Sequence, residues 1–140
     1  MNAIELAKVL GEIGMKFYES QLQEMVRYFS LMLDNHRVIV INKDGSPYSV
    51  FFFSITDDPD HFLLKDTWDY RTHNQYGKIV YVEKLVSKGW DREIRVLFEG
   101  LIVDQYPQIE YGVWHRWGKT GDRKVTVKRR LSNVRSQIVE

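Results

Sequence analysis

The stretch IVYVEKLVSKGWDREI, residues 79–94, decides the fold, because it joins a strand pattern directly to a helix pattern. β-Branched and aromatic residues fill its first half, as is typical of a strand. Asp91 then has the position of an N-cap, and Pro107 stops the helix. Between them, apolar residues recur at helical spacing and predict one inward face, formed by Ile94, Leu97, Phe98, Leu101 and Ile102. A strand, a helix and a further strand in this order predict a right-handed crossover between parallel strands.

Two helices are predicted before this stretch. Asn2 with Glu5 has the spacing of a capping box, and so has Ser20 with Gln23. Apolar residues follow each box at helical spacing, which indicates packing against a core. They are Ile4, Ala7, Val9, Leu10 and Ile13 in the first helix and Leu22, Met25, Val26, Phe29, Met32 and Leu33 in the second.

Strand patterns surround the crossover. Residues 37–41 and 48–55 predict a hairpin that turns at Asp44 and Gly45, and its second arm, apolar on both faces, predicts an interior strand. A polar connection follows, with a short helix at 61–66. The remaining expectations are a strand over 108–116 with Ile109, Tyr111 and Val113 on one side, a loop over 117–122, and a strand over 123–131 with Val125 and Val127 inward.

These elements predict one α/β (α+β) domain over residues 1–140. Its helical part spans residues 1–34, and its sheet spans 36–131, with the crossover helix at about 90–105. The sheet is expected to be mixed and mainly antiparallel. With 44% hydrophobic and 14% aromatic residues, the chain has enough apolar material for a sizeable core.

Composition narrows the function classes. The chain has no cysteine, which excludes disulfides, cysteine-ligated metals and cysteine catalysis. We expect an intracellular protein without a membrane partner, because no signal pattern and no apolar run of about 20 residues occurs. We expect no metal site either: Asp57, Asp58, Asp60 and His61 have neither calcium-loop nor zinc spacing, and a solvated acidic turn explains them.

The order of elements resembles the GNAT acyltransferase fold, and the local sequence resembles the RTX toxin-activating lysine acyltransferases most. The resemblance covers roughly residues 35–130. It rests on the hairpin at 35–58, the irregular acidic stretch after it, and the strand, glycine-containing loop and helix at 81–107. Short proteins of this fold also occur in tailed bacteriophages, some as particle components. The resemblance implies a GNAT-like domain, with Glu83 at the position of the catalytic Asp.

Two departures from these enzymes stand out. The toxin activators need a catalytic His in their helical N-terminal part, whereas the histidines here are His36, His61, His73 and His115. Ordinary GNAT enzymes grip the cofactor pyrophosphate with a glycine-rich loop, whereas VSKGWD, residues 86–91, has one glycine. Ser87, Lys88 and Gly89 could still bind an anionic cofactor at the helix N-terminus, although Asp91 would compete for that end.

Glu83 and His115 are the candidate catalytic residues. Glu83 would accept a proton from an attacking amine. His115, at the end of the fourth strand, would lie near the same sheet edge and could complete an acid–base couple. In the alternative, Glu83 points to solvent and His115 is a partly exposed residue at a strand end.

The C-terminal part indicates a binding surface. Residues 116–135 hold eight Lys or Arg and one acid, in a chain with 20 basic and 19 acidic residues in total, so the remainder is acidic. The candidate partner-binding residues are Trp114, Arg116, Trp117, Lys128, Arg129 and Arg130. They suit an acidic protein partner or self-assembly, and also single-stranded nucleic acid. A solvated hairpin with Trp114 in the core would explain them as well.

Three functions follow. The favoured expectation is a GNAT-like protein without catalysis that acts as an interaction or structural component, for example of a phage particle. The second is an active acyltransferase that moves an acyl group from coenzyme A or acyl carrier protein to an amine. The third is a nucleic-acid-binding module that uses residues 114–130.

Overall fold

The computed structural model describes residues 1–58, 73–117 and 124–131, with the backbone alone for residues 116, 117 and 124–126. The elements in chain order are α1 (Ala3–Ile13), a 3₁₀ turn (Glu19–Gln21), α2 (Leu22–Asp34), β1 (Val38–Lys43), β2 (Ser46–Thr56), β3 (Ile79–Ser87), α3 (Arg92–Gln105), β4 (Tyr111–Trp117) and β5 (Lys124–Arg130). The predicted helix at 61–66 and most of the predicted loop at 117–122 lie outside the described residues.

The strands form one sheet in the order β1-β2-β3-β4-β5. β1 with β2, β2 with β3, and β4 with β5 are antiparallel, whereas β3 and β4, which α3 connects, are parallel. The prediction of an α/β domain with a mixed, mainly antiparallel sheet is therefore confirmed. None of the helices within the described ranges has the length and apolar character needed to cross a bilayer.

Helices cover both faces of the sheet. α1 and α2 pack with Val50 and Phe52 of β2 on one face. α3 packs with Phe51, Phe53 and Ile55 of β2 on the other. Since successive side chains of a strand point to opposite faces, β2 is buried on both sides, as its sequence predicted. In the tight turn that leads into β2, Asp44 and Gly45 have φ values of 56° and 80°.

The two N-terminal helices begin differently. At α1 the capping box of Asn2 and Glu5 is present, as predicted. At α2 the predicted box of Ser20 and Gln23 is wrong, because the 3₁₀ turn precedes the helix and its N-cap, Gln21, makes no side-chain capping bond. Their inward faces also differ from the predicted stripes: Leu6 and Tyr28 are buried, whereas three of the predicted residues are exposed. These are Ile4, Leu22 and Val26.

α3 is rotated relative to the face that its sequence predicted. Asp91 caps it as expected, by accepting a bond from the Ile94 amide at 2.9 Å. Leu97 and Leu101 were predicted to point inward but are 45% and 48% exposed. Phe98 stacks on Phe51 of β2 as an inward residue, with ring centroids 4.1 Å apart, but the buried arc continues to Glu99 and Val103 instead of the leucines. Glu99 lies inward because it pairs with Arg129 of β5.

One face of the β4 region was also predicted wrongly. Ile109 precedes β4 and belongs to the core beneath α3. A Cβ at Gly112 would lie 3.7 Å from Leu131 and from Val80 of that same core, so the neighbouring Tyr111 and Val113 point to the opposite face. Of the two valines predicted to point inward from β5, Val127 is half-buried and the side chain of residue 125 is outside the description.

Glu99 joins α3 to β5 through a buried carboxylate. Its Oε1 lies 3.1 Å from Nε of Arg129 and 3.9 Å from Nε of Arg95. Burial raises the pKa of Glu99 above its ordinary value of 4.5, and the attraction of Arg129 and Arg95 offsets only part of that effect. The folded state thus favours the protonated form, so the stabilisation that this group contributes is full below pH 4.5 and is lost as the pH rises through the raised pKa.

Glu99→Gln is therefore expected to stabilise the protein at neutral pH. The melting temperature at pH 7 should rise by roughly 3–5 °C, the shift that about 1 kcal/mol produces in a domain of this size. The difference should close as the pH falls towards the ordinary pKa of glutamate. Thermal denaturation from pH 4 to pH 7 tests this, with Asp104→Asn, an exposed carboxylate on the same helix, as control. A Glu99→Gln protein that melts lower at pH 7 would contradict it.

Candidate functional site

β3 and β4 stop pairing before either strand ends. Their parallel register runs only from Ile79 with Tyr111 to Tyr81 with Val113. β3 continues to residue 87 and β4 to residue 117, without further hydrogen bonds between them in the described chain. The carboxyl ends of diverging parallel strands are a common place for ligand binding in α/β folds. The predicted catalytic residues and the loop before α3 all lie along these ends.

A β-bulge positions Glu83. In the β2–β3 ladder, Phe52 pairs with Lys84 and Phe53 with Val82, so Glu83 is the extra residue of β3. A bulge redirects side chains relative to regular alternation. The Glu83 side chain is only 3% exposed, and the alternative in which it points to solvent is therefore wrong.

Arg37 is the partner of Glu83. Its side chain is fully buried, its Nη2 forms an ion pair with Glu83 Oε2, and its Nε donates to the Phe53 carbonyl oxygen at 2.7 Å. The end of α2 fixes Arg37 in place: His36 has a left-handed φ of 57°, and the Arg37 amide donates to the Met32 carbonyl oxygen at 2.9 Å. Sequence reasoning missed Arg37, although a lone cation between a helix end and an apolar strand was a signal.

His115 has its own neighbour. Its ring packs edge-on against Tyr81, with centroids 5.5 Å apart and an interplanar angle of 73°. The structure thus brings Glu83 together with Arg37, and His115 together with Tyr81. The acid–base couple of Glu83 and His115 stays a prediction.

His73 precedes β3 and contacts the backbone of β2 near this pair. Its Nδ1 accepts a hydrogen bond from the Ile55 amide at 3.0 Å. Burial lowers the pKa of His73 below its ordinary value of 6.5, and the nearby charge of Arg37 lowers it further. A neutral imidazole is the form that can accept this bond, so the shift and the geometry agree.

The loop before α3 uses its own polar groups. Ser87 Oγ lies 2.6 Å from Ser49 Oγ and also bonds the Gly89 carbonyl oxygen, and the Lys88 amide donates to the Tyr48 carbonyl oxygen at 3.0 Å. A Cβ at Gly89 would lie 2.5 Å from the Tyr48 hydroxyl oxygen, so this position has room for glycine only unless Tyr48 moves.

The N-terminus of α3 faces a carboxylate of the chain itself. Asp91 caps the helix and also lies 3.7 Å from Lys43 Nζ. An incoming phosphate would compete with this carboxylate for the positive helix end. The assignment of Ser87, Lys88 and Gly89 to a cofactor stays a prediction.

Two tryptophans lie beside this loop. The rings of Trp90 and Trp114 have centroids 6.4 Å apart, and Trp90 also lies 6.2 Å from Phe51. Trp90 is 47% exposed. Trp114 therefore lies on the α3 face of the sheet, where it extends the core instead of standing free.

The predicted partner-binding residues are divided between two faces. Arg129 points to the α3 face and pairs with Glu99, 3.1 Å away. Lys128 and Arg130 are exposed on the opposite face, where Lys128 Nζ lies 4.4 Å and Arg130 Cζ 5.9 Å from the Tyr111 ring centroid. The side chains of Arg116 and Trp117 lie outside the described part. Lys128 and Arg130 thus lie on the opposite face of the sheet from Trp114.

Comparison with known proteins adds no identification. The chain matches no protein-family model, and no curated protein matches its sequence. Within residues 1–58, 73–117 and 124–131, no three His, Asp or Glu side chains are grouped as metal ligands would be.

Removal of one partner from the Arg37–Glu83 pair should be strongly destabilising. Arg37→Met leaves a buried carboxylate without its cation, which costs about 3–5 kcal/mol of unfolding free energy. The double variant Arg37→Met, Glu83→Leu removes both charges, so it should be more stable than the sum of the single losses predicts, by at least about 2 kcal/mol. Urea denaturation of the wild type, Arg37→Met, Glu83→Leu and the double variant measures this coupling. If the two single losses simply add up in the double variant, the pair has no special role in stability.

Proposed function

We propose that this protein is a binding component, without catalysis of its own, that engages an acidic protein surface through the basic face of β4 and β5. The observation that carries the proposal is the exposed group of Lys128 and Arg130 around Tyr111. Two cations held against a ring lose less conformational freedom on binding than free side chains do. A group of this kind suits carboxylate-rich surfaces.

The contacts made by Glu83 and Asp91, near the carboxyl ends of β3 and β4, support a role other than catalysis. Glu83 balances the charge of the buried Arg37 guanidinium, and taking a proton from an amine would remove that balance. The helix end that would hold a cofactor phosphate already faces Asp91. These contacts give both candidate chemical groups a structural task within the fold.

The same ring contacts favour protein over nucleic acid. Single-stranded nucleic acid binds by stacking bases on free aromatic faces. Here Lys128 and Arg130 lie over the Tyr111 ring, and Trp114 packs with Trp90. The partner that fits is an acidic protein. The resemblance noted above makes an assembled particle, such as that of a phage, one setting for such a component.

Charge reversal tests the proposal. Two labelled probes are used, and the binding of each is followed by fluorescence anisotropy. The acidic protein is acyl carrier protein in its unacylated form, and the nucleic acid is an oligothymidylate of about 20 nucleotides. Lys128→Glu with Arg130→Glu should weaken binding of the acidic protein by about tenfold or more. Lys8→Glu with Lys16→Glu, two exposed lysines in and after α1, makes the same change of charge elsewhere and should have little effect.

Each other outcome has a meaning. If both charge reversals weaken binding equally, the attraction is one of net charge and the proposed surface is wrong. If the oligothymidylate binds more tightly than the acidic protein, with an affinity that falls steeply with salt, the protein is a nucleic-acid binder instead.

A second candidate is the acyltransferase. The observation that favours it is the position of Glu83, at a bulge beside the point where β3 and β4 diverge. If the protein binds an acyl donor, its melting temperature must rise with coenzyme A, acetyl- or palmitoyl-coenzyme A, or acylated carrier protein. On the proposal above we expect no rise with the coenzyme A compounds at about millimolar concentration. A clear rise, together with acyl transfer that Glu83→Gln abolishes, would establish the enzyme.

A further inference from the structure

The two terminal strands of the described sheet differ in charge. β5 carries Lys124, Lys128, Arg129 and Arg130. Charged side chains of this kind keep an edge strand from pairing with other chains. β1, with the sequence VIVINK, has a single charge, on Lys43 at its end. It lacks the charges with which natural proteins protect an edge.

The hydrogen bonding of β1 leaves one row of backbone groups outward. The Phe53 amide donates to the Arg37 carbonyl oxygen at 3.1 Å, so residue 37 and every second residue after it point their backbone groups at β2. The N–H and C=O groups of Val38 and Val40 therefore point to the outer edge. Among the described residues no strand pairs with that edge.

An apolar flank of α3 lies beside this edge. Glu99 faces β5 through Arg129. Leu97 and Leu101 are each two residues from Glu99 in the sequence. Because two residues turn a helix by about 200°, both leucines lie on the side of α3 opposite to Glu99. They therefore face away from β5 and towards β1. α3 packs against β1, and the two leucines are 45% and 48% exposed. The open strand edge and the exposed leucines thus form one surface, which we call the β1 surface.

We propose that a second copy of this chain occupies the β1 surface. β1 of one copy would pair antiparallel with β1 of the other about a two-fold axis, so that one sheet runs through both copies. The exposed leucines of each copy would then cover the seam. Such an interface is isologous, because the same patch serves both partners.

The distribution of charge between β1 and β5 favours a second copy of β1 as the occupant. An acidic segment would be attracted to β5, whereas the strand that fits β1 is nearly uncharged and apolar on both faces. The chain has such a strand in β1 itself, whose Val38 and Val40 face the α1–α2 core and whose Ile39 and Ile41 face the α3 core. A matching pairing of β5 with its own copy would bring like charges together.

Sedimentation velocity of the full chain, from about 1 to about 100 µM, tests the proposal. The wild type is expected to form a dimer. Val40→Pro removes an outward donor and leaves the bonds to β2 intact, so it should weaken the dimer by about tenfold or more. Val40→Thr keeps the amide and the β-branched shape and should dimerise as the wild type does.

A second pair of variants avoids any effect on folding of β1. Leu97→Glu with Leu101→Glu places charges at exposed positions of the β1 surface and should give a monomer. Leu22→Glu with Val26→Glu has the same spacing on α2, where the side chains are 44% and 36% exposed, and should remain dimeric. Lys128→Glu with Arg130→Glu should also remain dimeric, which separates this proposal from that of the acidic partner.

Three results would overturn the proposal. One is a wild type that stays monomeric over the whole concentration range. Another is a dimer that persists both in Val40→Pro and in Leu97→Glu with Leu101→Glu. A dimer that the control Leu22→Glu with Val26→Glu weakens to the same extent would also count against the proposal. The third is growth beyond a dimer, because open growth requires a head-to-tail contact and not a two-fold one.

Discussion

The buried ion pair between Arg37 and Glu83 is the contact on which the arrangement of the layers depends. Arg37 is fixed by the end of α2, and Glu83 is the extra residue of a bulge in β3, so their contact spans β2 and ties the helical N-terminal part to the middle of the sheet. An unpaired charge in such a place costs several kcal/mol. A shift in the β2–β3 register or in the end of α2 would separate the two charges, and the pair therefore restricts the chain to one arrangement.

This dependence bears on function, because the resemblance to the acyltransferases would make Glu83 the catalytic base. A carboxylate that pairs with a buried guanidinium contributes to the stability of the fold, whether or not it also takes part in chemistry. The loop before α3 follows the same pattern, since Asp91 caps the helix end and the Tyr48 hydroxyl lies against Gly89. In both places the side chains of the protein itself engage the groups that chemistry would need, and this supports a role for the outer surfaces.

The sequence predicted the features that local signals encode. The Asp44–Gly45 turn, the N-caps at Asn2 and Asp91 and the strands rich in β-branched residues each depend on a few neighbouring residues. Contacts across 46 positions, such as that of Arg37 with Glu83, leave no such signal. The inward face of α3 was predicted wrongly because its buried arc includes Glu99, a charged residue that lies inward only because it pairs with Arg129 of β5. The separation of Lys128 and Arg130 from Arg129 was open to prediction, since consecutive strand residues point to opposite faces.

The two proposed interfaces are compatible because they lie at opposite ends of the sheet. β1 and β5 are four strand spacings apart, roughly 19 Å, so a second copy paired at β1 leaves the basic residues of β5 accessible. A two-fold dimer would carry one basic face at each end of its joined sheet. An assembly that displays repeated acidic surfaces could then bind both ends at once, and the second contact would form at the high effective concentration that the first contact creates. If both proposals hold, weak individual contacts, such as those of exposed Lys and Arg, become sufficient under that condition, because dimerisation at β1 doubles the number of basic faces.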